Sequence, residues 1–285
     1  MKRDNKLLFI LIAISCVIVV SAFMIVRYFR NNYWFENGIC YRERSNKLSV
    51  NEEKKVSIQN INEINISSVS ADIKIIKTDD KDMKVHYYGN FLGGNTTPQL
   101  IVDTSDNSIN VSTEHNILRS FHGRLNIDVY LPKDYNKSLT CSTVSGDITS
   151  DNLNVDNFSC KTTSGSIDAD SIKSNKNKFD TVSGDIDIKK LSGDVTFATV
   201  SGEVNISYDK FSNNIEGKSV SGDININIPK SSQFKISSHS VSGDINVKFA
   251  VTVSGSIEKH SLEGTVGSGD GNIKVNTTSG DIRVE

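Results

Sequence analysis

The chain has 285 residues, with 32 basic and 34 acidic side chains and a formal net charge of −2, so no basic surplus supports nucleic-acid binding. Aromatic residues make up 7% of it, with one tryptophan, Trp34, and only three prolines. Its core must therefore be filled mainly by Ile, Val and Leu, which suits strands, while abundant Asn, Ser, Asp and Thr suit many short turns.

Residues 1–6 form a short flank carrying Lys2, Arg3 and Lys6, and residues 7–26 are an uninterrupted run without charge (LLFILIAISCVIVVSAFMIV). As a helix rising about 1.5 Å per residue, that run matches the roughly 30 Å hydrocarbon core of a bilayer. A cleaved signal peptide would use the small residues Val20-Ser21-Ala22, but Phe23 to Val26 continue the apolar run where a polar segment is expected. A lipoprotein would use Cys16, yet Val17 to Val20 remain apolar. The expectation is an uncleaved, single-pass transmembrane helix whose partner is the lipid bilayer. Arg27, Arg30, Arg42, Arg44 and Lys47 slightly outnumber the basic residues before the helix, which by itself leans towards a cytoplasmic domain, though the rule weakens for long translocated domains.

Residues 27–55 read as a charge-mixed juxtamembrane spacer, and residues 56–285 as one repetitive domain. Within it, residues 56–136 carry a weak form of the pattern: Val69-Ser70-Ala71-Asp72-Ile73 is a degenerate copy, followed by alternating segments such as Ile73-Lys74-Ile75 and Met83-Lys84-Val85. From 137 to 285 the phrase is explicit. VSGDI begins at Val144, Val182, Val220 and Val241, with variants TSGSI at Thr163, VSGEV at Val200, VSGSI at Val253 and TSGDI at Thr278. Ser145, Ser164, Ser183, Ser201, Ser221 and Ser242 follow one another at 19, 19, 18, 20 and 21 residues, and Leu191-Ser192-Gly193-Asp194-Val195 stands halfway between two copies.

The alternation inside Val182-Ser183-Gly184-Asp185-Ile186-Asp187-Ile188 has period two, predicting a strand with Val182, Ile186 and Ile188 inward and the polar set outward. The glycines Gly146, Gly165, Gly184, Gly202, Gly222, Gly243, Gly255 and Gly280 occupy inward positions. They mark a corner where no Cβ fits or where φ is positive. A unit near 19 residues buries its apolar side only by stacking, so the predicted fold is all-β: a parallel β-solenoid of roughly 12 coils, about 58 Å long at about 4.8 Å per rung. Cys141, Cys160, Phe179 and Phe197 each precede the repeat's Val or Thr by three residues and should share one inward column. Neighbours in such a column fall within the reach of a disulfide, so Cys141 and Cys160 are either two buried thiols or a bonded pair.

The recurrent TVSGDI, the segment Leu125-Asn126-Ile127-Asp128-Val129-Tyr130-Leu131-Pro132 and the opening Ile64-Asn65-Ile66 … Asp72-Ile73-Lys74-Ile75 resemble the bacterial putative-adhesin family of β-strand repeats, which includes the LiaG-like proteins of Gram-positive envelope-stress operons. That resemblance covers residues 56–285. It implies a β-helix-like solenoid, usually on the outer face of the membrane or secreted, with no catalytic residues to carry over, and it tips the expected topology outward against the charge count.

Acidic residues at the repeat's turn (Asp147, Asp185, Glu203, Asp223, Asp244, Asp281) should line one edge of the stack. Either they hold calcium, since stacked carboxylates repel and a hard cation relieves that, or they hydrogen-bond the turn backbone and stay solvated. The calcium nonapeptide G-G-x-G-x-D is missing, with Gly267-Ser268-Gly269-Asp270-Gly271 its nearest approach. The histidines (His86, His115, His122, His239, His260) have no metal-ligand spacing, and the chain contains no serine-nucleophile motif, phosphate loop or CxxC. No catalytic residue and no cofactor is expected. The expected role is an extracytoplasmic binding or scaffold module of the cell envelope, whose partner is an envelope polymer, a glycan or another protein. The alternatives are a cytoplasm-facing scaffold that oligomerises through coil edges, with the final coil Thr278 to Glu285 as an exposed edge, and a polysaccharide-active β-helix enzyme.

Overall fold

The computed structural model describes residues 47–92, 97–114, 122–253 and 260–285. The expected transmembrane helix at 7–26 and Gly255 lie outside the described residues; among these, no helix is long and apolar enough to cross a membrane.

The first strands are β1 (Lys47–Ser57), β2 (Glu63–Ser67), β3 (Ala71–Thr78), β4 (Asp82–Leu92), β5 (Gln99–Thr104), β6 (Ser108–Glu114) and β7 (His122–Pro132). Then come β8 (Ser138–Ser142), β9 (Ile148–Asn154), β10 (Asn157–Lys161), β11 (Ile167–Asp180), β12 (Ile186–Ile188), β13 (Leu191–Ala198) and β14 (Val204–Ser207). The series closes with β15 (Asn214–Lys218), β16 (Ile224–Asn227), β17 (Phe234–Ser240), β18 (Ile245–Val247), β19 (Thr252–Val253), β20 (Ser261–Val266), β21 (Gly271–Thr277) and β22 (Ile282–Val284). Among the described residues, 47–55, expected as spacer, are strand; β1 pairs in antiparallel register with β4 along its whole length, from Lys47↔Leu92 to Ser57↔Asp82.

Each clear coil consists of one strand, an S-G-D turn, a second strand and a return. The first strands stack in the order β6-β2-β8-β10-β11-β13-β15-β21-β17, all parallel. The second strands stack as β7-β3-β9-β11-β12-β14-β16-β22-β18, also parallel. β11 is long enough to serve both stacks. The described coils are fewer than the roughly 12 expected because part of each end is given to antiparallel strands: β5 on β6 and β4 with β1 on β7 at one end, β20 with β19 on β17 at the other.

The spatial order departs from chain order at both ends. The first coil, β2/β3, lies between β6/β7 and β8/β9, and the last, β21/β22, lies between β15/β16 and β17/β18. The final coil is therefore not the exposed edge expected for it: Ile282 and Val284 pair on both sides and are fully buried.

Within the strands the alternation behaves as strand geometry requires. Val204–Ser207 and Ile224–Asn227 alternate buried and half-buried, and the inward Ile, Val and Leu of both stacks join one buried cluster. Leu191–Val195 does not make a turn of its own: it lies in β13, where Gly193 has φ +105° and the pairing with β11 is shifted between Lys173 and Lys176.

Candidate functional site

The repeated turn concentrates the conspicuous chemistry of the chain, and its parts engage one another from rung to rung. At Gly184, a Cβ would sit 1.7 Å from the carbonyl oxygen of Gly165. Successive turns lie too close for any side chain, and the expectation of a corner without room for a Cβ holds through close approach rather than positive φ. The same contact runs from Gly146 on Ala71 through Gly165, Gly184, Gly202 and Gly222 to Gly280 and Gly243. Ala71 can carry its methyl because its neighbour on the far side is Leu125 of β7, a strand residue and not another such turn.

Three residues before each glycine stands a buried hydroxyl. Thr181 Oγ1 accepts the Gly184 N–H at 3.0 Å and donates to the Gly165 carbonyl at 3.5 Å. Thr162, Ser240 and Thr277 do the same with Gly165/Gly146, Gly243/Gly280 and Gly280/Gly222. Thr199 and Ser219 likewise accept from Gly202 and Gly222. This corrects the expected orientation of Val182, which is only half-buried while Thr181 is buried. The strand parity does not continue backwards through the turn, and Val241, at the same position, is 48% exposed. The signal was present in the sequence as the leading Thr of TVSGDI, recurring as Thr or Ser at 143, 162, 181, 199, 219, 240 and 277.

The acidic edge is also a device between rungs. Asp72 Oδ1 accepts the Asp147 N–H (3.0 Å), Asp147 that of Ser166 (2.9 Å), Asp185 that of Glu203 (2.8 Å), Asp223 that of Asp281 (2.9 Å) and Asp281 that of Asp244 (2.9 Å). Glu203, one methylene longer, accepts instead from the Asn225 amide at 2.7 Å. Asp147, Asp185, Asp223 and Asp281 thus act as turn-backbone acceptors, whereas Glu203 accepts from a side chain and Asp244 enters the series through its N–H. Among the described residues, no group of three or more His, Cys, Asp or Glu side chains is placed to hold a metal ion. The carboxylates crowd most around Asp168, whose pKa is pushed up by desolvation and then by Asp187, Asp147 and Asp185, against the opposing charge of Lys189.

Cys141 and Cys160 do share the expected column: they are Cα partners on β8 and β10, between Ile66 on one side and Phe179 on the other. Both are buried free thiols.

One part of the outer surface departs from the repeat and was not singled out by sequence reasoning. Where β1, β4, β7 and β3 lie side by side, their outward residues form rows: Asn51, Tyr88, Asn126, Asp72; then Glu53, His86, Asp128, Lys74; then Lys55, Lys84, Tyr130, Ile76. The His86 ring stacks on Tyr88 at 4.4 Å and bonds Asn51 Oδ1 at 2.7 Å, while the Tyr88 hydroxyl donates to Asp128 at 3.3 Å. Lys84 Nζ lies 4.2 Å over the Tyr130 ring and 3.7 Å from Glu53. Nearby, at the end of the β3/β7 pair, Lys77 Nζ donates to the carbonyls of Pro132 and Tyr135. Burial lowers its pKa to about 8, with Asp134 opposing.

A family model described as Toastrack DUF4097 matches residues 61–285. Similar solved structures include a putative cell adhesion protein from Clostridium sporogenes, with 16% identity over 83% of this chain and 99% of that one, at a TM-score of 0.37. A putative adhesin from Bacteroides fragilis shares 16% identity over 83% and 97%, at 0.46, and a putative lipid binding protein from Parabacteroides distasonis 16% over 82% and 96%, at 0.38. No curated protein matches.

Proposed function

The chain belongs to the Toastrack DUF4097 family, and on that premise we propose that it is a membrane-anchored, extracytoplasmic binding or scaffold module of the bacterial cell envelope. The observation that carries this reading is the way the repeat uses its own chemistry. The glycines of the described turns, with many of their hydroxyls and carboxylates, engage the neighbouring rung. Outward from the strands stands a regular lattice of polar side chains, such as Asp168, Asp187, Asn205 and Asn225 on successive strands, the two asparagines also bonded to each other. A lattice of this kind offers many equivalent hydrogen-bonding positions to an extended polymer or a neighbouring protein. The rows around Tyr88, His86 and Tyr130 add the aromatic surface that a more specific contact uses. The apolar run at 7–26 would tether the module to the bilayer.

Protease treatment of intact cells carrying the chain with a C-terminal epitope, beside lysed cells, tests the placement. The expected result is loss of the epitope in intact cells. Protection in intact cells with digestion after lysis would overturn it and leave the cytoplasm-facing scaffold as the reading to pursue.

A further inference from the structure

The two cysteines among the described residues are placed on one another by the repeat itself. Cys141 and Cys160 are Cα partners on adjacent parallel rungs, and both are fully buried. The column continues with Ile66 on one side and Phe179 on the other, neither of which offers a polar group to either sulfur.

We propose that Cys141 and Cys160 close to a cross-rung disulfide when the chain folds in an oxidising compartment. Adjacent rungs lie about 4.8 Å apart, inside the roughly 4.4–6.8 Å range of Cα separations that disulfides span. In the reaction the two thiols lose two protons and two electrons and one S–S bond forms. The electrons pass to an external disulfide, of an envelope thiol oxidase or of a small molecule, which leaves as two thiols. The thiolate is the attacking species, and burial pushes the Cys160 thiol well above its ordinary pKa. Once Ser138–Ser142 and Asn157–Lys161 have stacked, both sulfurs are fully buried and out of reach of an oxidant, so the bridge forms during folding and not afterwards. It then ties two neighbouring coils and restricts the unfolded chain between them. Its presence in cells rests on the outward placement proposed above; the pairing chemistry does not.

The test uses the full chain, purified reduced, in two arms. In the first, it is unfolded in guanidinium and refolded with oxidised glutathione, while a native sample receives the same oxidant without unfolding. Both are then denatured, alkylated and peptide-mapped. The expected result is a Cys141–Cys160 linked peptide after oxidative refolding, alkylated thiols at both positions in the native sample, and a bridged chain that melts several degrees above its reduced form. Free thiols after oxidative refolding into the same fold, or pairing of either residue with Cys16 or Cys40 instead, would overturn the proposal. In the second arm, cells are quenched with acid and alkylated before any purification. A linked peptide there supports both the pairing and the outward placement. Free thiols there, with a linked peptide from refolding, count against the outward placement and leave the pairing standing.

Discussion

Gly184 lies directly against the backbone of the preceding rung, so that a Cβ added to it would fall 1.7 Å from the Gly165 carbonyl oxygen. The obstacle is backbone that is itself hydrogen-bonded, so neither side can yield without opening the rung. Gly184→Ala should cost about 4 kcal/mol or more, at the severe end for a single substitution. Ala71→Gly, at the rung with no such turn beyond it, should cost about 1 kcal/mol. Urea unfolding midpoints check both, and similar losses at the two positions would refute the close-approach account.

The hydroxyl of Thr181 joins its own turn to the preceding one through Gly184 N–H and Gly165 carbonyl. Thr181→Val keeps the shape and leaves a buried amide without its acceptor, at a cost of about 1–3 kcal/mol. Thr181→Ser keeps the oxygen and should stay close to the parent, as Ser219 and Ser240 fill the same place in other rungs. Chemical denaturation of the pair separates the hydroxyl's role from that of the methyl group.

Asp168 stands among Asp187, Asp147 and Asp185 with its pKa raised above the ordinary 3.8. A carboxyl whose pKa is higher folded than unfolded holds its proton more readily in the native state. Its favourable contribution is present below the unfolded value and is lost as pH rises through the folded one. Asp168→Asn should therefore be slightly more stable than the parent at pH 7. Its advantage should shrink as pH falls through the raised folded value and be gone below about 4; added salt should shrink it too, because the site is open to solvent. Melting temperatures across pH 3–8 check this, and an advantage that grows towards low pH would contradict it.

How much of this was legible in the sequence depended on whether a signal repeats or distinguishes. The turn repeats, so its spacing alone placed Cys141 on Cys160 and exposed the glycine column. The strands after each turn alternate cleanly, and Ile186 and Ile188 are buried as the period demands. Val182 was misread because the period was carried across a corner at which Thr181, not its neighbour, turns inward. The carboxylates could be aligned but not assigned partners, since an outward Asp looks the same whether it meets water, a cation or the amide of the next rung. Rung order was the least accessible feature: near-identical turns fit on one another in any sequence, and only pairing shows Gly280 between Gly222 and Gly243.

That inserted coil makes the last prediction. In a solenoid stacked in chain order, removing the final coil costs one interface and leaves the rest folded. Here β21 is paired on one side to β15 and on the other to β17, and β22 likewise to β16 and β18. The turns around it are bonded in the same way, with Ser219 N–H and Ile224 N–H donating to Asn276 and Asp281 on one side and Ser242 N–H donating to Thr278 on the other. A chain ending at Val266 loses both interfaces at once and strands the β17/β18 coil, with the β20 strand that caps it, beyond a gap one rung wide. Amide hydrogen exchange of that truncated chain should show protection lost in Phe234–Ser240, Ile245–Val247 and Ser261–Val266, with β8 to β14 unchanged. Full protection at Phe234–Ser240 would mean that β17 has closed onto β15, and that the final coil is a spacer and not the clamp its pairing describes.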